Sequence, residues 1–201
     1  MQNEGAATDR TPDQRAEGRR GLVMLGALVP LLALLGLLAW ALIQSGGQPA
    51  GIGINRMFGQ VPVDETPARD FSVALFGGGD LRLSELRGQV VMVDFWSSWC
   101  GPCREEAPAL QEAYRRFRGR GVEFVGVAIW DSEKEATKFI AEVGQQYPTG
   151  LDSKGLIAID YGVTGIPEKY FVDRDGVLVR KFVGPVTVPE LDRVLTELLA
   201  R

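Results

Sequence analysis

The chain contains no histidine. That absence removes imidazole as a general base, as a metal ligand and as an axial haem ligand. It also rules out a copper shuttle assembled from two thiolates and an imidazole. Cysteine is scarce, with two in 201 residues, so the chain is no disulfide-stapled miniature scaffold. A zinc site built on two thiolates would have to borrow carboxylates, an unusual mixture for a structural centre. Excess positive charge is missing as well. At a formal net charge of −4 nothing offers a cationic surface to phosphates, which excludes nucleic acid as a partner. No internal repeat or long low-complexity tract is visible. What remains is a globular composition, 45% hydrophobic and 24% charged, with length for one ordinary domain and additions.

The first addition is residues 22–43, LVMLGALVPLLALLGLLAWALI, which carry no charge. At about 1.5 Å per residue a helix of this length spans roughly 33 Å, enough for a hydrocarbon core of about 30 Å. Arg10, Arg15, Arg19 and Arg20 precede the run, and only Arg56 follows within the next twenty residues. The positive-inside rule then keeps residues 1–21 in the cytoplasm and exports the rest. A cleaved signal peptide ending at Ala39-Trp40-Ala41 is the competing reading, but its apolar core is ordinarily about 7–15 residues. The run favours a transmembrane anchor. Residues 44–66, rich in Gly and Pro, read as a linker, although Ile52, Ile54, Met57, Phe58 and Val61 are apolar enough to dock on something.

Residues 67–201 alternate strands and helices. Phe71–Leu75 and Leu81–Leu83 flank the hairpin signal GGGD. Gln89–Phe95 is a nearly continuous β-branched run, as a strand covered on both faces requires. Pro102–Arg118 predicts a helix with Pro102 at its first position and a kink at Pro108. Val122–Ile129 is a second buried strand. Ser132 and Glu135 form a capping-box pattern for a helix to Val143. A short helix is expected at Leu156–Tyr161, a hairpin at Tyr170–Val172 and Val177–Val183, and an amphipathic helix at Val188–Leu199. This order implies an α/β domain around a mixed central sheet flanked by helices.

Both cysteines lie in FWSSWCGPCREEAP, residues 95–108. As a staple, a Cys100–Cys103 bridge closes so short a loop that chain entropy gives only about 2 kcal/mol, against about 4.7 for a 100-residue loop. A redox pair accounts for the neighbours better. Cys100 falls at a strand-to-helix turn, where free amide N–H groups and the helix dipole stabilise a thiolate. Cys103 lies one turn further in and is expected to be less accessible. The cycle that follows is attack by Cys100 on a partner disulfide, then displacement of the reduced partner by Cys103.

VDFWSSWCGPCREEAP resembles the thioredoxin active site, and the likeness covers roughly residues 67–201. With the anchor, the early hairpin and the extra helical segment near 132–147, the chain is most similar to membrane-tethered thioredoxin-like proteins of the TlpA/ResA and DsbE/CcmG types. The second motif is GVTGIPEKYFVDRDG at 162–176. The resemblance makes Pro167 a cis-proline facing the cysteines, with Ile166 offering its backbone to a bound peptide strand. The Gly-Val-x-Gly-x-Pro-Glu pattern, with Glu168, resembles the cytochrome c biogenesis group more than general thioredoxins. Trp99, Gly101 and Pro102 complete the substrate-facing set, Trp99 as a partly exposed lid. Asp94 matches the buried aspartate that relays the resolving thiol's proton in thioredoxins, where the tethered reductases often carry asparagine. Alternatively it is an ordinary carboxylate satisfied at the sheet's edge. Glu106 matches an active-site acid of the tethered reductases, or else is a surface carboxylate favoured by the helix dipole.

The resemblance implies a membrane-tethered thiol:disulfide oxidoreductase that reduces the C-x-x-C disulfide of an apocytochrome c before haem attachment. It needs no bound cofactor and no metal, and takes electrons from a membrane thiol donor. An oxidant or isomerase of exported proteins is the enzymatic rival. A thiol-based copper carrier or holdase is the non-enzymatic one. The peroxidase branch is disfavoured: Ser97-x-x-Cys100 fits part of its pattern, but Val93 stands where its proline should be.

Overall fold

The computed structural model describes residues 26, 28–40, 53–55 and 59–201, which fall in two compact units, Met1–Ala50 and Gly51–Arg201. In the first unit residues 28–40 form helix α1, and its leucines, valine and Trp40 are all more than half exposed. Among the described residues no helix is long and apolar enough to cross a membrane. The other residues of the expected 22–43 span, and the expected cytoplasmic segment 1–21, lie outside the described residues.

The second unit is built on a sheet of seven strands. Its centre is β5 (Val90–Trp96), parallel to β6 (Val122–Ala128) and antiparallel to β8 (Glu168–Val172). β7 (Thr149–Leu151) extends the sheet beyond β6, and β9 (Val177–Val183) beyond β8. Two further strands, β1 (Gly59–Val61) and β2 (Thr66–Pro67), pair with β9. Both begin in the stretch read as linker. Neither has the apolar alternation that marks a strand, because their residues are largely exposed at the sheet's margin. β7, also unanticipated, is three residues long, too short to carry a period.

All seven residues of β5 are buried, as its apolar run requires. Their period of two divides them between faces. Val91, Val93 and Phe95 belong to one core, and Val90 and Met92 to the other. The second core is roofed by helix α2 (Gly101–Phe117), which contributes Leu110, Ala113 and Phe117, and by α5 (Val188–Leu199), which contributes Leu191, Leu195 and Leu198. Helix α3 (Glu133–Val143) starts on Ser132, whose hydroxyl accepts the Glu135 N–H, and stops at left-handed Gly144. The short α4 (Leu156–Asp160) follows β7. Strands β3 (Ser72–Ala74) and β4 (Asp80–Arg82) form the hairpin expected around GGGD.

Candidate active site

The end of β5 delivers the chain into Ser97-Ser98-Trp99 and then into α2. This turn is stitched to the loop after β6. The Ser97 hydroxyl donates to the Ile129 carbonyl. The Ser98 hydroxyl donates to Asp131 Oδ1 at 3.0 Å, and the Trp99 indole N–H to the Trp130 carbonyl at 2.8 Å. Cys100 caps α2, with Pro102 in the first turn. The Cys103 backbone N–H donates to Cys100 Sγ at 3.2 Å, placing a helix-terminal donor on the sulfur that would carry negative charge. The two cysteines form a disulfide with Cα atoms 5.3 Å apart. Trp99 is 43% exposed. In this oxidised state both cysteines are buried, Cys100 at 0% and Cys103 at 2% exposure.

Below Cys103 the apolar pattern of the α2-covered face breaks. Asp94 continues the Val90–Met92 side of β5 and is buried in mid-sheet, not at an edge. Directly opposite it in β8 stands Lys169, and one turn beyond Cys103 on α2 stands Glu106; both are buried. Lys169 Nζ is ion-paired with Glu106, hydrogen-bonded to the Gly184 carbonyl at 3.2 Å and 3.9 Å from Asp94 Oδ1. The Val186 N–H donates to Glu106 Oε2 at 2.8 Å. The Tyr147 hydroxyl donates to Asp94 Oδ2 at 3.0 Å. It reaches across β6 at Gly126, where a Cβ would come within 3.0 Å of the tyrosine ring. Asp94 Oδ1 has no hydrogen-bond partner.

Two carboxylates face one ammonium here, so electroneutrality requires a proton on one acid. Burial raises the Asp94 carboxyl above its ordinary value, against the opposing pull of Lys169 and the Tyr147 hydrogen bond. Burial also pushes Glu106 up to about 8, with Lys169 opposing and Asp94 adding to the rise. Burial and the Asp94 carboxylate raise Tyr147, which keeps its hydroxyl a donor. Glu106 is therefore an interior acid and not the surface carboxylate the dipole alone would explain.

Replacing Asp94 by Asn is expected to stabilise the fold by about 1–3 kcal/mol at neutral pH. The amide still accepts from Tyr147, and no carboxyl must be either desolvated as an anion or held neutral. A raised folded pKa gives stability that is fully present below the unfolded pKa and lost as pH rises through the folded one. The Asn variant lacks that decline. Urea unfolding at pH 5 and pH 8 measures it, and an Asp94→Asn curve parallel to wild type would contradict it.

The 164–168 loop lies beside β8. The Ile166-Pro167 bond is cis. Glu168 is fully buried; its Oε1 accepts from the Thr164 and Gly165 N–H groups, each at 3.2 Å, and its Oε2 accepts from the Tyr170 hydroxyl at 2.8 Å and is approached by Lys181 Nζ at 2.8 Å. Its visible work is thus to fix the loop that presents Ile166; Gly101 lies between the cysteines with Pro102. Lys169, Tyr147 and Asp131 were not singled out from the sequence. The apolar pattern starts this strand at Tyr170 and leaves Lys169 in a loop, and Tyr147 meets Asp94 across 53 residues with no local signal.

A C-x-x-C disulfide capping a helix, over a sheet of this topology and beside a cis-proline loop, defines a thioredoxin-like thiol:disulfide oxidoreductase. The AhpC/TSA family model matches residues 65–181, and the chain belongs to that family. The thiol-disulfide oxidoreductase ResA of Bacillus thuringiensis is 29% identical over 131 residues, 65% of this chain and 76% of the relative. Among solved structures, a thiol:disulfide interchange protein of the thioredoxin family from Chlorobium tepidum is 30% identical with a TM-score of 0.62, covering 69% of this chain and 99% of that one. A secreted Mycobacterium tuberculosis disulfide oxidoreductase, described as homologous to E. coli DsbE, is 25% identical with a TM-score of 0.55, covering 65% and 96%. The site is of the ResA/DsbE type.

Proposed function

We propose that this oxidoreductase is anchored in the membrane by residues 22–43, faces the exported side, and reduces the C-x-x-C disulfide of an apocytochrome c with electrons from a membrane thiol donor. The observation that carries the mechanism is the Asp94–Lys169–Glu106 cluster one helical turn below Cys103. In the reduced enzyme the Cys100 thiolate attacks one sulfur of the substrate disulfide, forming a mixed disulfide and releasing the other sulfur as a thiolate. Cys103 then attacks Cys100 Sγ, closing the enzyme disulfide and releasing the second substrate sulfur. Two electrons leave the enzyme. The Cys103 proton passes by way of a buried carboxylate, whose raised pKa suits exchange near neutrality, to the departing thiolate.

The Gly162–Glu168 stretch and the relatives of ResA/DsbE type support the cytochrome substrate. The uncharged run preceded by four arginines supports the anchor. Protease added outside spheroplasts is expected to digest the domain of residues 59–201 while the membrane stays intact; protection of that domain would contradict the orientation. Capture by a Cys103→Ser variant in its own membrane identifies the substrate. A trapped set without any C-x-x-C-H protein would contradict the cytochrome assignment.

A further inference from the structure

Ile166, the residue before the cis-proline, is fully buried, and part of what covers it comes from the stretch read as linker. The Ile166 N–H donates to the Gly53 carbonyl at 2.6 Å, and the Asn55 N–H donates to the Ile166 carbonyl at 2.6 Å. These two bonds make a parallel β-bridge between Ile54 and Ile166. The Asn55 side-chain amide adds bonds to the Pro167 carbonyl at 3.3 Å and to Glu168 Oε1 at 3.5 Å. The fit depends on small residues. Gly53 has φ of +83°, and a Cβ there would lie 3.2 Å from the Trp130 ring; a Cβ on Gly165 would meet Gly53 and Asn55 at 3.0–3.1 Å. Trp130 also receives the indole N–H of Trp99, next to Cys100.

Both hydrogen-bonding groups of the Ile166 backbone are thus spent on a strand supplied by the chain itself. An extended peptide presents the same alternation of C=O and N–H, which is how strands add to an exposed backbone edge. Ile166 shares a buried core with Cys100 and Cys103, and Cys100 has no exposed surface in this arrangement. We propose that Gly53–Asn55 is a built-in competitor for the peptide-binding edge at Ile166, which an extended segment of a disulfide-bearing protein must displace before Cys100 can react. This rests on the proposal that the enzyme acts on protein disulfides through Cys100. It adds that the unstructured, main-chain-accessible form of the substrate is selected, because only an extended segment can replace the bridge. Joined to the domain, the strand competes at high effective concentration although it makes few contacts.

Two full-length variants test this: residues 51–58 replaced by a Gly-Ser segment of equal length, and Gly53→Val, whose side chain would meet Trp130 in a backbone conformation that disfavours valine. The first readout needs no catalysis. A labelled synthetic peptide of residues 51–58 is expected to bind the oxidised variants and not oxidised wild type. Equal binding to all three, or binding to none, would overturn the proposal. The second readout is the rate at which reduced protein attacks a C-x-x-C-H peptide disulfide, expected to rise on the order of tenfold in the variants, as the loss of two backbone hydrogen bonds held in cis allows. Reduction of a small organic disulfide should change far less. Equal peptide rates in variants and wild type would also overturn the competition. If no chain reduces the peptide disulfide, the reductase assignment fails, and the binding readout still decides whether the strand is a competitor.

Discussion

Replacing Lys169 by methionine is expected to cost about 3–5 kcal/mol of stability near pH 8 and much less near pH 5. Methionine fills most of the lysine's volume, so the loss is electrostatic. Without the ammonium, Glu106 keeps only the Val186 N–H, and Asp94 only the Tyr147 hydroxyl. Two buried carboxyls must then stay protonated or carry uncompensated charge. Both already titrate above their ordinary values in wild type, and removing the one group that lowers both raises them further. Groups with raised folded pKa values support the fold below their unfolded pKa and lose that support as pH rises. The deficit of Lys169→Met therefore grows with pH. Adding Glu106→Gln should recover a large part of it, because one of the two acids is then gone. Urea unfolding of the single and double variants at the two pH values gives the comparison. A pH-independent deficit, unrelieved by Glu106→Gln, would mean that Lys169 serves packing alone.

This cluster shows where the sequence was legible and where it was not. β5 was readable because a strand buried on both faces must be apolar throughout, and Asp94 stood out by violating that rule. The helix after Cys100 was readable from its cap and its proline. Ser132 and Glu135 marked the next helix for the same local reason. Glu106 could not be placed, since a carboxylate in the second turn of a helix has the same sequence signature on a surface as in a core; only the burial of that face of α2 decides. Lys169 was not legible because the apolar pattern of that strand begins at Tyr170, two residues after β8 itself begins at Glu168. The β-bridge at Ile54 was foreshadowed only by the apolar residues of a Gly-rich stretch. What it pairs with lies more than a hundred residues away, and main-chain pairing leaves no side-chain signal.

The largest effects on activity are expected at the cysteines. Cys100 Sγ sits at the cap of α2 and receives the Cys103 N–H, so the helix terminus stabilises its thiolate, whereas Cys103 lies on the inner turn above the carboxylates. Cys100→Ser should reduce disulfide reduction to background, since the one thiol left, Cys103, lies on the inner turn and has no second cysteine to close an enzyme disulfide. Cys103→Ser should retain the first attack and stall as a covalent adduct, because the thiol that releases it is gone. The two variants thus fail at different steps. The decisive measurement is mass spectrometry of each reduced variant after exposure to a C-x-x-C-H peptide disulfide. The account predicts a stable adduct on Cys100 in the Cys103→Ser protein, formed far faster than any adduct in the Cys100→Ser protein. Faster adduct formation on Cys103 in the Cys100→Ser protein would contradict it and reverse the two roles.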